Sequence, residues 1–508
     1  MVKSPIKAPG VRSRYDGGRF SVFLIGALLL LIRSLFAAGL LAAAAPALAD
    51  FPALTALEAS GARVTAMVLD LDDGSALARH NSELRLSPAS VTKLVTAAAA
   101  LETWSADRVF NTRISATGAI RDGVLDGDLI LHSQGDSTLD HAALWSLAAQ
   151  IRAVGIRRVR GDLKVSTAPF GPLGCETKDR CDALAKSATA FNAPLAAIGI
   201  DYGNWCIDVK PVTVGAAATL TGCGGMALPI PVEGRITTVA ANRKQTFWVD
   251  RFTPTGSGDV LRVGGELPLD SPQSVYRAMS EPPLGLGLLM RTTLRELGVE
   301  IAGSVQVVST PAPPNSVELA NSESLLLKEQ LGRMLRFSNN YIADLITLNI
   351  GAVKNGKPGP LADASRALST YLQRVAPLGP AAPLFSGSGL TPENRLSANE
   401  LATMLASVYR DPVRFPALYG GMVVPRQAPF AFLRQGSKAW QDRVALKTGT
   451  MNDPVSVCGV AGYLRKKNGG WMSFAILVNG NASGKRHVPL YKSMEAIRKD
   501  IEAILARY

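Results

Sequence analysis

The chain has 508 residues, 47% of them hydrophobic and 19% charged. That balance excludes a disordered, collagenous or fibrous protein, and the length exceeds what a single core usually fills, so more than one domain is expected. The formal charge of +13 is spread without Lys/Arg blocks or interleaved aromatics, which argues against nucleic acid as a partner.

Residues 1–49 form a separate object. Lys3, Lys7, Arg12, Arg14 and Arg19 lead into an apolar, Ala-rich stretch that ends in Pro46-Ala47-Leu48-Ala49. This is the pattern of a signal peptide with an Ala-x-Ala cleavage site; an uncleaved anchor helix is the rival reading, weakened by Arg33 inside the apolar run. Removing six basic residues and one acidic residue lowers the charge from +13 to +8, and an exported basic chain would meet anionic envelope polymers. No later stretch is long and apolar enough to span a bilayer, so at most a peripheral membrane contact is expected.

After the signal, Arg63 to Leu71 and Ser75 to His80 read as a hairpin turned at Asp72-Asp73-Gly74. A helix is predicted over Ser90 to Leu101, with Val91, Leu94, Val95 and Ala98 on one face. Strands follow at Val109 to Ser115, Val124 to His132 and Arg157 to Val165, with a helix over Ala142 to Ala153. Next comes a Gly- and Cys-rich stretch holding Cys175, Cys181, Cys206 and Cys223. In an exported protein these suggest two disulfides, and pairing of neighbours is the shortest-loop arrangement, although sequence leaves connectivity open. A zinc site is the rival, but no CxxC or paired Cys/His spacing is present. Cys458, in an apolar strand pattern, reads as a buried small side chain. A helix near Leu284 to Leu297 and a strand near Glu300 to Val308 resume the pattern, and helical material fills Leu325 to Tyr409. Strands at Arg443 to Thr450, Cys458 to Leu464 and Trp471 to Val478 precede a closing helix marked by Tyr491, Met494, Ile497, Ile501, Ile504 and Leu505.

Hairpin and terminal strands together predict an α/β (α+β) fold whose five-stranded antiparallel sheet, flanked by helices, is built from both ends of the chain. The expected division is a signal at 1–49, a main domain at 50–108 and 318–508, an inserted domain at 109–167 and 265–317, and a second insertion nested within it at 168–264.

Three short motifs carry chemistry. Ser90-Val91-Thr92-Lys93 puts a hydroxyl and an amine one helical turn apart, as a nucleophile and its base, beside first-turn N–H groups suited to an oxyanion. Ser338-Asn339-Asn340 falls at an expected junction of two helices, where a Ser-x-Asn can relay protons and hold an amide. Lys447-Thr448-Gly449-Thr450 ends an apolar strand with a cation, hydroxyls and a glycine, a dock for a carboxylate. Each is weak alone: Ser4 and Lys7 also fit SxxK, Ser397-Ala398-Asn399 fits SxN, and helix capping or a strand end explains any one of them. In this order they are the SxxK, SxN and KTG signature of penicillin-binding proteins and serine β-lactamases. His80, His132, His141 and His487 stand in no HExxH or nucleophile-elbow context, and Pro358 spoils the Walker-like Gly351 to Lys357. No metal or cofactor is expected.

Positions 93 and 338 lie nearly half the chain apart, which separates this sequence from β-lactamases and the simpler carboxypeptidases. With Pro88-Ala89-Ser90, Arg160-Gly161-Asp162-Leu163, Phe191-Asn192-Ala193-Pro194, Phe337-Ser338-Asn339-Asn340 and Gly387-Ser388-Gly389-Leu390 before Asn394-Arg395, the mature chain resembles the class C low-molecular-mass penicillin-binding proteins, peptidase family S13. The resemblance implies a β-lactamase/transpeptidase-like domain interrupted by two insertions. It also implies a periplasmic D-Ala-D-Ala carboxypeptidase or endopeptidase acting on peptidoglycan stem peptides and cross-links, with β-lactams as covalent inhibitors. Ser90, Lys93 and Ser338 would be catalytic; Asn340, Lys447, Thr448, Gly449 and Thr450 would bind substrate, with the N–H groups of Ser90 and Thr450 as oxyanion hole. Ser386 and Ser137 depart from the aspartate and proline that the family often has there. A serine β-lactamase, or a penicillin-binding protein without turnover, is the alternative.

Overall fold

The structure, a computed structural model, describes residues 50–508; the signal-peptide expectation lies outside them. Among the described residues no helix is long and apolar enough to cross a membrane.

A five-stranded antiparallel sheet runs in the order Ala76–His80, Arg63–Asp70, Trp471–Asn479, Val457–Arg465, Val444–Met451. Its central strands are buried along nearly their whole length because helices cover both faces. On one face Leu490–Arg507 packs Ile497, Ile501 and Ile504 against Val64, Val460 and Ile476. The helix Pro52–Ala59 joins it there, with Asp500 accepting the N–H groups of Ala53 and Leu54 at 3.1 and 2.9 Å, so the two ends of the described chain are tied. The other face receives Lys93–Thr103, Leu327–Arg336, Asn340–Asn355, Leu361–Val375 and Ala398–Tyr409, sharing a core around Leu94, Val95, Leu331 and Leu405.

The predicted helix from Ser90 is in fact a 3-10 turn, Ala89–Thr92, that passes into the α-helix Lys93–Thr103. Ala89 has a left-handed φ of 45°, and the tighter turn lets the segment nestle on the sheet. Small residues make room: a Cβ on Gly449 would sit 2.4 Å from the Pro88 carbonyl oxygen, and one on Gly459 3.1 Å from Val91 Cγ2.

Three predicted strands between residues 109 and 317 each break in two. Val124–Asp126, Arg158–Val159 and Glu300–Ile301 join Ala119–Arg121 in a four-stranded sheet, while Leu129–Ser133, Leu163–Ser166 and Val305–Val308 join Asn111–Ala116 and Val317–Glu323 in a five-stranded one. The breaks fall at Gly127, Gly161 and Gly303, which stack: Gly161 N–H donates to Gly127 O at 3.0 Å and Gly303 N–H to Gly161 O at 3.1 Å. A Cβ on Gly161 or Gly303 would meet that preceding carbonyl oxygen at 2.5 or 2.4 Å. Beside them Asp128 accepts the Asp162 N–H and Asp162 the Ser304 N–H, both at 2.8 Å. Alternation of side chains does not reveal such a break, because the apolar period continues across it.

Farther in, Thr219–Gly222, Asn204–Lys210 and Gln273–Ala278 make a three-stranded sheet, and Val232–Gly234, Val260–Gly264 and Trp248–Phe252 another. Their apolar faces and those of the four- and five-stranded sheets just described share one continuous core, from Ile114 and Leu163 through Trp205 and Ile207 to Leu261 and Leu286. Cys175 bonds Cys181 and Cys206 bonds Cys223, the shortest-loop pairing; Cys458 is free and buried.

Candidate functional site

The three motifs converge. Ser90 is half-buried at the 3-10 turn, Lys93 opens the α-helix just behind it, Ser338 and Asn340 lie where Leu327–Arg336 gives way to Asn340–Asn355, and Lys447 to Thr450 run along the edge strand Val444–Met451. Ser338 holds a left-handed φ of 56°, a strained turn of the kind that aims a side chain at a functional point. The interhelical junction expected for Ser-x-Asn is what the chain forms.

Lys93 is fully buried and its Nζ donates to Asn340 Oδ1 and to the Ser388 carbonyl, both at 2.7 Å, and shares a hydrogen bond with Ser90 Oγ at 2.9 Å. None of these partners is charged. Burial drives its pKa well below the ordinary range, and the positive charge of Lys447 pushes the same way, against Asp344. Lys447, also buried, donates to Ser338 Oγ at 3.0 Å and to the Thr448 carbonyl at 2.7 Å; burial brings its pKa down to about 7. Thr448 is half-buried, Thr450 exposed, and the bare backbone of Gly449 passes so close to the turn that its Cβ would lie 3.0 Å from the Ser90 nitrogen. A hydroxyl bonded to an amine whose burial disfavours its charge, with a second amine and hydroxyls along a neighbouring strand, can attack a carbonyl and hold a nearby carboxylate.

A family profile described as D-Ala-D-Ala carboxypeptidase 3 (S13) matches residues 41–500. The chain belongs to the S13 family. It is a peptidase of the D-Ala-D-Ala carboxypeptidase class, with the mixed fold its sequence predicts. A D-alanyl-D-alanine carboxypeptidase of an Actinomadura species is 30% identical over 478 residues, 86% of this chain and 84% of that protein. The crystal structure of penicillin binding protein 4 from Haemophilus influenzae has the same fold, with a TM-score of 0.69 and 22% identity over 88% of this chain and 97% of that one. A structure of that protein complexed with a β-lactam gives a TM-score of 0.66, again at 22% identity, over 88% of this chain and 96% of that one.

Beyond the motifs, this S13 chain uses residues that sequence reasoning missed as parts of the site. The Ser388 carbonyl is an acceptor for Lys93, and the loop that carries it is locked by Thr96 Oγ1 donating to Gly387 O at 2.9 Å and by Asn394 Oδ1 accepting the Phe385 N–H at 2.8 Å. Gly389, at φ +74°, brings this loop against Ala89, whose carbonyl oxygen would lie 1.9 Å from an added Cβ. Gly387-Ser388-Gly389-Leu390 was visible only as a family resemblance, because a main-chain acceptor leaves no side-chain signal. The two departures are absorbed locally: Ser386 Oγ accepts the Gly389 N–H at 3.1 Å, and Ser137 Oγ donates to Gln330 Oε1 at 2.8 Å. Among the described residues no group of three or more His, Cys, Asp or Glu is placed to hold a metal.

Proposed function

We propose that the chain is an exported serine DD-peptidase that cleaves after D-Ala in peptidoglycan stem peptides or cross-links through an acyl-enzyme on Ser90. One observation carries this reading: a buried amine, whose charge its surroundings disfavour, lies 2.9 Å from the Ser90 hydroxyl.

Lys93 takes the Oγ proton as Ser90 Oγ bonds to the penultimate D-Ala carbonyl carbon, and the N–H groups of Ser90 and Thr450 receive the oxyanion. Collapse breaks the C–N bond. The leaving D-Ala nitrogen gains its proton through Ser338, and water then cleaves the ester to free Ser90. Asn340 holds the substrate amide, and Lys447, Thr448 and Thr450 receive the terminal carboxylate, with Gly449 letting the peptide approach. A β-lactam would open on Ser90 by the same first step.

Residues 1–49 act in this reading as a cleavable export signal to the periplasm, and the two disulfides fit an oxidising compartment. Residues 109–167 with 265–317, and 168–264 nested in them, act as inserted domains that steer glycan or peptide towards the cleft. The test is mass spectrometry of the mature protein after incubation with penicillin and with purified muropeptides, beside Ser90→Ala. A lasting adduct on Ser90 plus loss of terminal D-Ala or of cross-links is expected. Rapid penicillin turnover would mean a β-lactamase, an adduct without muropeptide cleavage a sensor, and an adduct on Ser90→Ala a wrong nucleophile.

A further inference from the structure

The inserted chain reaches the base of the reaction through a buried ion pair. Arg180, on the helix Lys178–Lys186 next to the Cys175–Cys181 bond, is 1% exposed. One arm of its guanidinium pairs with Asp344 Oδ2, itself fully buried on the helix that begins at Asn340, and the other donates to the Ala193 carbonyl at 2.9 Å. The free oxygen of that carboxylate, Oδ1, accepts the Ser388 N–H at 2.7 Å. The carbonyl of the same Ser388 is where Lys93 Nζ donates. A second connection runs in parallel: the Phe191 carbonyl of the insertion accepts from Asn340 Nδ2 at 3.2 Å, and Asn340 Oδ1 accepts from Lys93. Two of the three acceptors around the Lys93 amine are therefore tied to inserted chain, Asn340 directly through the Phe191 carbonyl and Ser388 at one remove through Asp344.

A buried Arg–carboxylate pair adds little stability over apolar packing of equal volume. Placing the loop that holds Lys93 is a stronger reason for one here. We propose that Arg180 is a positioning residue for the reaction: acting through Asp344 and the Ser388 peptide, it sets both the location of the Lys93 amine and the charge around it, so that the inserted chain is part of the catalytic apparatus. The inference rests on Lys93 being the base for Ser90.

The charged groups facing Lys93 are Lys447, Asp344 and Arg180, with Ser90, Asn340 and Ser388 as its neutral partners; Arg180 faces Asp344, Glu176 and Tyr341. Asp344 favours the charged amine and Arg180 the neutral one, so their effects on Lys93 oppose each other. Removing one charge alone must therefore move the pH at which Lys93 loses its proton, while removing both must move it less.

The experiment measures the second-order rate of acylation by a fluorescent penicillin against pH, for the mature wild-type chain, Asp344→Asn, and Arg180→Met with Asp344→Asn. In Asp344→Asn the amide oxygen still accepts the Ser388 N–H, but the guanidinium is uncompensated, and the acidic limb moves down by about one pH unit. In the double variant the limb moves back towards the wild-type position while the rate stays about tenfold or more below wild type, because Arg180 no longer holds residue 344 against the loop. The double variant leaves no lone buried charge, so it reports even where the single one folds poorly. A limb that stays in place in Asp344→Asn, or a double variant that acylates at the wild-type rate, overturns the proposal. Wild-type chain that is not acylated at Ser90 would instead defeat the DD-peptidase reading on which it rests.

Discussion

Two buried lysines without a bonded carboxylate are a poor arrangement for stability, and the site contains both. Lys447 is the clearer case, since burial alone brings its pKa from 10.5 to about 7 in the folded chain. Between those values the unfolded chain binds more protons than the folded one, so stability rises as pH rises from 7 towards 10.5, by about 1.4 kcal/mol per unit for a single group. Lys447→Met removes this contribution. Its melting temperature is expected to exceed that of wild type at pH 7, with the gap closing as pH approaches 10, while cleavage of D-Ala-D-Ala peptides is lost; equal gaps at both pH values would refute the linkage. For activity the signs differ between the two lysines. In the proposed mechanism Lys93 acts as a base only when neutral, so acylation falls as acid protonates it, and Lys447 binds a carboxylate best when charged. Capture of a peptide bearing a free carboxylate should therefore weaken as pH rises above about 7. A neutral ester analogue of the same peptide should not show that alkaline fall in kcat/KM. The motif residues were legible because their functional groups are in their side chains. Ser388 was not legible as a contact for Lys93, nor was Arg180, which sits among cysteines with nothing in its neighbours to mark a buried partner.

At the scale of the element, close approach decides what the turn at Ser90 can do. The edge strand meets the turn at Gly449, where a methyl group would lie 2.4 Å from the Pro88 carbonyl oxygen and 3.0 Å from the Ser90 nitrogen, both main-chain atoms unable to yield. Gly449→Ala is expected to push strand and turn apart by a substantial fraction of an ångström, cutting penicillin acylation about a hundredfold and lowering stability by about 1–3 kcal/mol. Gly420→Ala is the control: its added methyl meets nothing within 4 Å, so acylation and melting should stay at wild type. Loss of acylation in both, or in neither, would show that contact at the turn is not what matters. The sheet strands of the main domain were readable to within a residue or two because their burial alternation or apolar runs end in turns. The inserted strands were read as continuous for the reason their glycines make plain: Gly127, Gly161 and Gly303 interrupt pairing by stacking on neighbouring backbone, and one chain segment does not record which backbone lies beside it.

Across the whole molecule, residues 109–317 are joined to the rest of the described chain by more than their covalent crossings. Tyr341, Leu345 and Leu348 of the helix that carries Asn340 pack with Leu195 of the insertion, and Tyr341 Oη donates to Ala196 O at 3.3 Å. The sequence placed residues 168–264 as a nested piece from its cysteines and composition, but neither property shows how much core a piece shares. Here Ile198, Trp205, Ile207, Val249 and Leu261 lie in the same apolar cluster as Ile114, Leu131, Leu147 and Leu289. Excising 168–264 and bridging the gap would thus strip one side from that core and remove Arg180 and Phe191 from behind Lys93 and Asn340. If the insertion only guided a polymer to the cleft, the shortened chain would still react with penicillin and with soluble muropeptides, and fail only on intact sacculi. The shared core and the contacts to Asn340 and Asp344 predict otherwise: penicillin labelling, hydrolysis of soluble muropeptides and cooperative melting should all be lost together. Retention of the first two in a shortened chain that still melts in a single transition would show that the main domain holds its own site and that the inserted chain serves access alone.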